Sequence, residues 1–311
     1  MQSEFINQEI LLRPTKYIWM DGRFKKWKDA KIHVLSHTLH YGAGVFEGIR
    51  LYQTSDGPAV FRLKEHIRRL FYSAGAIDMK IPYSQKEMSD VILKLVKKNK
   101  LKSGYIRPIA FFGYGSMSLS PEKCAVNTVI AMWPWKAYLG SAPIHIKTSK
   151  YIRIHPRSTV TDAKICGHYV NSILAGAEAQ KAGFHEALFL DYKGCVAEGP
   201  GENIFMVKKG IVYTPKLGSI LSGITRESII TLAKDLDYKV VEKNLNLKDL
   251  YNADECFFTG TAAEISPIGS VDRKKIGKGV AGPVTSRLRN EFMKIIKGKN
   301  PVYKNWLSYI K

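Results

Sequence analysis

Lys164 and Glu198 are the two residues whose types and spacing most clearly suggest chemistry. Small and apolar residues follow Lys164, and Glu198 begins a glycine-rich turn, residues 198–203, that leads directly into an apolar strand. An amine can bond covalently to an aldehyde cofactor, and a buried acid can hold a pyridine nitrogen protonated so that the ring accepts electrons. The pair therefore predicts pyridoxal phosphate chemistry, provided that other segments supply the rest of such a site.

A candidate phosphate site lies in residues 221–227, where Gly223 precedes the start of a predicted helix. Backbone N–H groups at a helix N-terminus attract phosphate, and a glycine lets the ligand approach the main chain closely. The N–H groups of Ile224 and Thr225 would then bind the phosphate. A serine or threonine before a helix is more often only a cap, and the segment taken alone favours that simpler role.

A second candidate anion site lies in residues 259–264, where small residues and hydroxyls follow an apolar predicted strand. In open α/β folds, ligands collect at the ends of strands. The N–H groups of Thr261 and Ala262 could hold a carboxylate or a phosphate, whereas an ordinary turn explains the same composition equally well.

Three further side chains could recognise anions. Arg69 lies in a predicted helix and could bind a phosphate through its guanidinium fork, although taken alone it is more typical of a surface arginine. Tyr105 and Arg107 alternate along a predicted strand and therefore share one face, where a phenol and a guanidinium suit a carboxylate. The alternative is an exposed polar face of an edge strand, which Pro108 would tolerate.

Aromatic residues and histidines form two more groups. Trp133, Trp135 and Tyr138 could line an apolar pocket or simply pack between domains. The histidines at positions 33, 37 and 40 have no intervening glutamate and no cysteine or carboxylate nearby, and their segment does not look helical, so we interpret them as ordinary polar residues and predict no metal site.

Composition restricts the class of protein. The chain has 311 residues, 45% of them hydrophobic, and a net charge of +21. Its lysines are dispersed and accompany no nucleic-acid-binding motif, so we expect a solvated basic surface and no nucleic-acid partner. We find no secretory signal and no apolar run of membrane-spanning length, and the four cysteines form no close pair. We therefore expect a cytoplasmic protein with reduced thiols and no membrane partner.

The order of predicted elements indicates a two-domain α/β chain. A hairpin turning at Asp21-Gly22 is followed by helices over 63–76 and 84–99 and by strands over 105–112 and 125–132. After a proline-bounded segment we predict a helix over 168–182, strands over 187–190, 203–207, 210–213 and 255–258, and a helix over 225–236. We assign residues 1–132 to a small N-terminal domain, 133–143 to a linker and 144–311 to a larger C-terminal domain.

Taken together, these segments resemble the branched-chain amino acid aminotransferases, which are fold-type IV pyridoxal phosphate enzymes. The resemblance extends from Tyr17 to about Phe292, and its specificity lies in the joint order of the motifs. The matching pieces are Tyr41-Gly42, Phe46-Glu47-Gly48-Ile49-Arg50, Glu65-His66, Arg69-Leu70, Tyr105-Ile106-Arg107-Pro108, Ala163-Lys164, Tyr169, Glu198-Gly199, Gly201-Glu202-Asn203, Gly223-Ile224-Thr225-Arg226 and Gly260-Thr261-Ala262-Ala263-Glu264. The family has a small open-sheet N-terminal domain and a larger pseudo-barrel C-terminal domain that carries the Schiff-base lysine.

The resemblance implies a role for each cofactor-binding position. Lys164 is expected to be the Schiff-base lysine and the base that moves a proton. Glu198 is expected to bind the pyridine nitrogen of pyridoxal 5'-phosphate, and Tyr169 its O3' oxygen. The implied phosphate-binding residues are Arg69, Ile224, Thr225 and Thr261.

The resemblance also implies a substrate site. Tyr105 and the N–H groups of Thr261 and Ala262 would bind the substrate carboxylate, and Arg107 would help to accept the second carboxylate of glutamate. The apolar side-chain pocket is expected from Phe46, Trp135 and Tyr138. Tyr41 and residues 117–119 match segments that reach a neighbouring active site across a dimer interface, so a homodimer or higher homo-oligomer is expected.

The implied reaction is ping-pong transamination between L-leucine, L-isoleucine or L-valine and 2-oxoglutarate. Pro200 departs from the family pattern, but a proline is tolerable on that turn and leaves Glu198 in place. The nearest alternatives are a D-amino acid aminotransferase and an aminodeoxychorismate lyase of the same fold type. An alternative of another class is a basic nucleic-acid-binding protein with a degenerate enzyme fold, which the intact Lys164 and Glu198 disfavour.

Overall fold

The computed structural model describes residues 12–135 and 142–310, which form an antiparallel β-sheet and a mixed β-sheet with helices packed against them. In the first part of the chain the elements are β1 (Tyr17–Met20), β2 (Arg23–Lys26), α1 (His37–Tyr41), β3 (Gly44–Phe46), β4 (Ile49–Thr54), β5 (Gly57–Phe61), α2 (Leu63–Gly75), α3 (Gln85–Asn99), β6 (Gly104–Phe112) and β7 (Val126–Trp133). In the second part they are β8 (Ile144–Thr148), α4 (Tyr169–Lys181), β9 (Glu186–Leu188), β10 (Asn203–Lys208), β11 (Ile211–Thr214), α5 (Ile224–Asp235), β12 (Val240–Glu242), α6 (Leu247–Tyr251), β13 (Glu255–Gly260), β14 (Glu264–Val271), β15 (Lys274–Lys275), α7 (Pro283–Ile296) and β16 (Leu307–Tyr309). The two sheets with their packed helices confirm the predicted fold class of α and β elements.

The first sheet has the strand order β16-β5-β4-β6-β7-β1-β2, with β3 paired to β6. Helices α2 and α3 bury apolar faces against it, and Ile67, Leu70 and Ile92 lie in one core with Ile49 and Ile106. The C-terminal strand β16 returns to this sheet, where it pairs antiparallel with β5.

The second sheet has the order β12-β11-β10-β13-β14-β8-β9, with β15 paired to β14. Its central strands are apolar on both faces because α5 and α7 cover one side and a second core fills the other. Phe205 and Phe257 stack across β10 and β13 with ring centroids 5.1 Å apart. The sheet therefore holds the segments at both ends of β10 and β13 firmly in place.

Most predicted elements are confirmed to within one or two residues. The hairpin pairs Met20 with Arg23, and Ser84 caps α3 through the predicted capping box with Glu87. The strand predicted over 187–190 is shorter than expected, because β9 ends at Leu188 and the Asp191 carboxylate then accepts N–H groups of the following turn.

Strand β6 lies inside the first sheet, so the alternative of an exposed edge strand at Tyr105 and Arg107 is wrong. Proline is tolerated there because Pro108 faces the gap between β3 and β4, where the chain leaves the sheet at Glu47 and Gly48. The Pro108 carbonyl still accepts the Glu47 N–H at 2.9 Å. The gap turns residues 46–48 away from regular pairing and towards the site described below.

No helix within residues 12–135 and 142–310 is long and apolar enough to cross a membrane.

Candidate active site

A cavity of about 210 Å³ lies where the two sheets meet. It collects side chains from β3, β6, α2, the start of α5 and the turn between β13 and β14. The predicted site residues that line it are Phe46, Arg69, Tyr105, Arg107, Trp135, Lys164, Tyr169, Ile224, Thr225, Thr261 and Ala262. Glu198 is buried behind the lining residues Asn203 and Leu221, with which it forms hydrogen bonds.

Two expected substrate residues need separate mention. Tyr138 lies outside the described residues. Tyr41 is 44% exposed and donates a hydrogen bond to the Met117 carbonyl at 2.9 Å, away from the cavity of its own chain. The expectation that Tyr41 acts across a subunit interface stays a prediction.

The segment around Lys164 is held by the first part of the chain. The Lys164 N–H donates to Ser73 Oγ at 2.9 Å, and the Lys164 carbonyl accepts the Phe46 N–H at 3.1 Å. Ala163 and Ile165 are buried in the core of the first sheet. The main chain of Lys164 is thus fixed on both sides, and its Nζ lies 2.5 Å from the Tyr169 hydroxyl.

Glu198 lies in a small network of buried hydrogen bonds. Its carboxylate receives the Arg153 Nε–H at 2.6 Å, the Asn203 amide at 3.0 Å and the Leu221 N–H at 3.1 Å. Burial raises the pKa of Glu198, whereas Arg153 and these donors oppose the rise. An acid with such a set of donors is oriented to interact with a positively charged or N–H-bearing ligand.

The start of α5 is open to the cavity. Its N-cap is Gly223, which has no side chain to cap the helix, so the simpler interpretation of this segment as a Ser/Thr cap is wrong. A Cβ on Gly223 would lie 1.9 Å from the Asn203 side-chain oxygen, so only glycine fits. The first N–H groups of a helix lack intrahelical partners, and those of Ile224 and Thr225 border the cavity.

Arg69 is not a surface arginine. Its side chain is 11% exposed, and Nε and Nη2 donate to the two Glu47 oxygens at 2.6 and 2.9 Å. Its Nη1 donates to the Ser222 carbonyl at 2.8 Å, just before α5. Burial disfavours ionisation of Glu47, but Arg69 and His66 outweigh it and hold the Glu47 pKa well below its usual range.

The segment 259–264 is both a hairpin turn and part of the cavity wall. Thr261 to Ala263 connect β13 and β14, and Glu264 begins β14 with a φ of 55°. Glu264 accepts a hydrogen bond from the Tyr52 hydroxyl at 2.9 Å, which ties this turn to the first sheet. The Thr259 hydroxyl is buried at the cavity and has no hydrogen-bond partner in the described part of the chain.

Aromatic rings form the opposite wall. Phe46 meets Tyr169 edge to face with centroids 4.8 Å apart, and Tyr105 packs against Trp135 at 5.3 Å. The Arg107 guanidinium lies 4.8 Å from the centre of the Phe46 ring, and its Nε has no protein partner among the described residues. The wall is apolar but carries one cation that a ligand carboxylate could reach.

Two buried carboxyl groups lie beside the site. Burial and the nearby Glu198 raise the pKa of Glu202, which lines the cavity, to about 7. Burial and then Glu202 raise the pKa of Glu186 to about 8. Both groups therefore retain protons at pH values where an exposed glutamate is ionised.

The histidines that the sequence suggested as polar residues each bond to main-chain groups. His37 and His40 approach the Ser118 and Val34 carbonyls at 3.1 and 3.0 Å, and His33 accepts the Leu35 N–H. Residues 12–135 and 142–310 bring together no group of three or more side chains suited to a metal ion.

The donor set fits a phosphorylated pyridine aldehyde. An amine lies centrally, a buried acid lies behind one side, and an arginine with free helix N–H groups lies at the α5 end. The Thr259 hydroxyl and Arg107 Nε have no hydrogen-bond partner in the described ranges, so both could bind polar groups of a ligand.

Comparisons with known proteins agree with this chemistry. Residues 44–271 match the family model described as amino-transferase class IV. This chain belongs to the class IV aminotransferases. Members of this family use pyridoxal 5'-phosphate.

Similar relatives include two bacterial branched-chain amino acid aminotransferases. The Pseudomonas aeruginosa protein is 47% identical over 94% of this chain and 97% of its own length. The Escherichia coli protein is 43% identical over 94% of this chain and 97% of its own. The alternatives of a D-amino acid aminotransferase or an aminodeoxychorismate lyase are not favoured.

Two solved structures of branched-chain amino acid aminotransferases resemble this chain in fold. The crystal structure of the Escherichia coli branched-chain amino acid aminotransferase has a TM-score of 0.93 and 42% identity, and the match covers 96% of this chain and 100% of that one. Another similar structure, of a branched-chain amino acid aminotransferase complexed with N-(5'-phosphopyridoxyl)-L-glutamate, has the same TM-score of 0.93 and 45% identity, over 96% of this chain and 99% of that one. This chain is therefore a pyridoxal phosphate-dependent branched-chain aminotransferase by family, fold and site chemistry.

Reasoning from the sequence missed several residues that support the site. Arg153 carries no motif signal and reaches Glu198 only because β8 and the turn at 198–203 fold together. Ser73 could have been found as the residue four positions after Arg69 on a predicted helix, since such residues share a face. Glu47 was visible in the motif Phe46-Glu47-Gly48, but its pairing with Arg69 depends on tertiary contacts.

Proposed function

We propose that this enzyme transfers the amino group between L-leucine, L-isoleucine or L-valine and 2-oxoglutarate, with Lys164 as the catalytic residue. The observation that carries the proposal is the Lys164 amine, 2.5 Å from the Tyr169 hydroxyl in a cavity that has an aromatic wall with the Arg107 guanidinium beside it. An apolar branch and a second carboxylate must both enter a site of this kind.

Lys164, Tyr169 and Glu198 are the proposed reaction centre. When bound, pyridoxal 5'-phosphate supplies an aldehyde and an electron-accepting ring. Lys164 Nζ would hold the cofactor and would take the proton from the substrate Cα, and the hydrogen bond from its N–H to Ser73 fixes the main chain that carries this amine. Tyr169 would orient the amine, and Glu198 would hold the ring nitrogen and keep it protonated.

The phosphate is proposed to bind at the opposite end of the cavity. Arg69 supplies a cation, and the N–H groups of Ile224 and Thr225 supply helix-terminal donors. Thr261, on the turn between β13 and β14, completes the proposed phosphate site.

The substrate carboxylate is proposed to bind Tyr105 and the N–H groups of Thr261 and Ala262. Arg107 accepts the second carboxylate of glutamate or 2-oxoglutarate. Phe46 and Trp135 line the place of the branched side chain, and we extend this role to Tyr138, which lies outside the described residues.

We further propose that the enzyme is a homodimer or higher homo-oligomer. Apolar side chains are exposed on the segment before α1 and on the loop after β6; Val34 is 68% and Leu119 80% exposed. Tyr41 and residues 117–119 lie on this face and would complete the site of a second copy. Light scattering of Leu119→Lys should show a shift to monomer with reduced activity; an unchanged mass with full activity would contradict the interface.

The remaining expectations are kept as proposals. The division into residues 1–132, 133–143 and 144–311 places the linker between β7 and β8. A cytoplasmic location is supported by four cysteines that are all free. We propose no nucleic-acid or membrane partner.

The reaction is tested by following the absorbance of the lysine-bound cofactor. Addition of L-leucine should remove this absorbance, and 2-oxoglutarate should restore it. A response to D-alanine but not to L-leucine would contradict the proposed substrate class.

A further inference from the structure

Glu47 lies between the two ends of the active site without lining it. It is fully buried and sits in the gap between β3 and β4, with Phe46 on one side and Gly48 on the other. Phe46 forms the substrate wall, and a Cβ on Gly48 would lie 1.8 Å from the Tyr105 hydroxyl, so the chain at Gly48 touches the proposed carboxylate site. A shift of Glu47 would therefore displace Phe46 and Gly48, which border the proposed substrate site.

The Glu47 carboxylate is saturated with donors. Its two oxygens receive Nε and Nη2 of Arg69 at 2.6 and 2.9 Å, His66 Nδ1 at 2.7 Å and the Gly48 N–H at 3.2 Å. A fork of two parallel bonds fixes the plane of a guanidinium as well as its position. His66 is 1% exposed and braces the carboxylate from the same face of α2.

The fork leaves Arg69 Nη1 directed towards α5, where it reaches the Ser222 carbonyl at 2.8 Å. This is the position of the proposed phosphate group, one residue before Gly223. A glutamate at full charge beside the only arginine proposed to bind phosphate would weaken the attraction for an anion. The presence of Glu47 is explained if the orientation of the Arg69 guanidinium contributes more to phosphate binding than its net charge does.

We propose that Glu47 is a positioning residue that sets the guanidinium plane of Arg69 for the cofactor phosphate and connects that site to the substrate wall at Phe46 and Gly48. This inference rests on the proposed phosphate role of Arg69.

The test compares the affinities of the refolded or cofactor-stripped enzyme for pyridoxal 5'-phosphate and for pyridoxal, which has no phosphate. Glu47→Gln keeps the volume but replaces an acceptor with an amide donor, so the fork is lost. We expect the preference for the phosphorylated form to fall about tenfold or more, with pyridoxal affinity changed little. A preference that stays the same or rises would overturn the proposal, because it would mean that Glu47 only offsets the charge of Arg69.

A double-mutant cycle separates positioning from general destabilisation. If Glu47 acts through Arg69, then Glu47→Gln in the background of Arg69→Met should cause no additional loss of phosphate preference. Additive losses would overturn the proposal. Glu255→Gln is the matched control, because Glu255 is equally internal and binds the N–H groups of Val284 and Thr285, far from the cavity.

The outcomes also distinguish this inference from the proposed function. If Arg69→Met leaves the phosphate preference unchanged, the phosphate role of Arg69 and this proposal both fail, whereas transamination of L-leucine by the unmodified enzyme tests the activity separately. Loss of preference in Arg69→Met but not in Glu47→Gln refutes the positioning role alone. If Glu47→Gln does not fold, Glu47→Asp, which keeps the charge but shortens the reach, takes its place under the same criteria.

Discussion

Replacement of Arg153 by methionine gives the sharpest prediction for the reaction centre. Arg153 Nε lies 2.6 Å from the Glu198 carboxylate, and the two side chains are 9% and 6% exposed. At an effective dielectric constant of about 20, this separation corresponds to an attraction of roughly 6 kcal/mol, much of which offsets the desolvation of both charges. Methionine fills similar space but leaves the carboxylate without its cation.

Protonation of Glu198 limits the stability that the Arg153→Met variant can lose. From its reference pKa of 4.5, protonation at pH 7 costs about 3 kcal/mol, which sets the expected loss of stability for the cofactor-free protein. The folded-state pKa of Glu198 is already raised and rises further in the variant. The stability difference should therefore be largest near neutral pH and should shrink as the pH falls towards the unfolded-state pKa.

The same change should slow catalysis. Without Arg153, Glu198 becomes the stronger base and keeps the proton that it would otherwise leave on the ring nitrogen. We expect kcat to fall roughly a hundredfold, the lower end of what a positioned proton-holding group contributes. The assay is leucine transamination at full cofactor occupancy, together with urea unfolding at pH 7 and pH 5.

Arg62→Met is the control, since Arg62 is also buried but its carboxylate partners, Glu65 and Glu227, are 30% and 64% exposed and stay solvated. A kcat for Arg153→Met within about threefold of the unmodified enzyme, at full occupancy, would refute the reasoning.

Other changes test separate parts of the site. Lys164→Ala should abolish turnover and the absorbance of the lysine-bound cofactor; retention of both would exclude the assignment. Glu198→Gln should lower kcat about tenfold or more, since an amide cannot hold a ring proton; an unchanged rate removes that role. Arg107→Met should raise the KM for 2-oxoglutarate about tenfold or more and leave that for L-leucine nearly unchanged, because one charged hydrogen bond is lost; equal effects on both substrates would argue against a carboxylate role. The raised pKa of Glu186 makes the folded protein lose stability as pH rises from about 4.5 towards 8, so Glu186→Gln should be more stable by about 5 kcal/mol at pH 9 and nearly neutral in effect at pH 5. Thermal unfolding at both pH values is the measurement; a stability difference that does not change with pH would contradict the raised pKa.

The secondary structure was largely readable from local pattern. The spacing of apolar residues predicted α2 and α3, the Ser84 capping box marked the start of α3, and Asp21-Gly22 marked the turn between β1 and β2. Local pattern failed where the result depended on how the strands pair in the sheet. Pro108 suggested an edge strand, but a break in the neighbouring strands lets a proline occupy an internal one.

The sequence by itself determined the family and the order of the motifs, and it predicted the reactive amine and the acid, because those depend on residue types at particular spacings. The tertiary structure decided which groups act on each other. Arg69 is a buried, oriented cation only because Glu47 leaves the sheet opposite Pro108, and Glu198 carries a charged partner only because Arg153 approaches it across 45 residues of chain. Such pairings depend on distances between segments remote in sequence, and no local pattern encodes those distances.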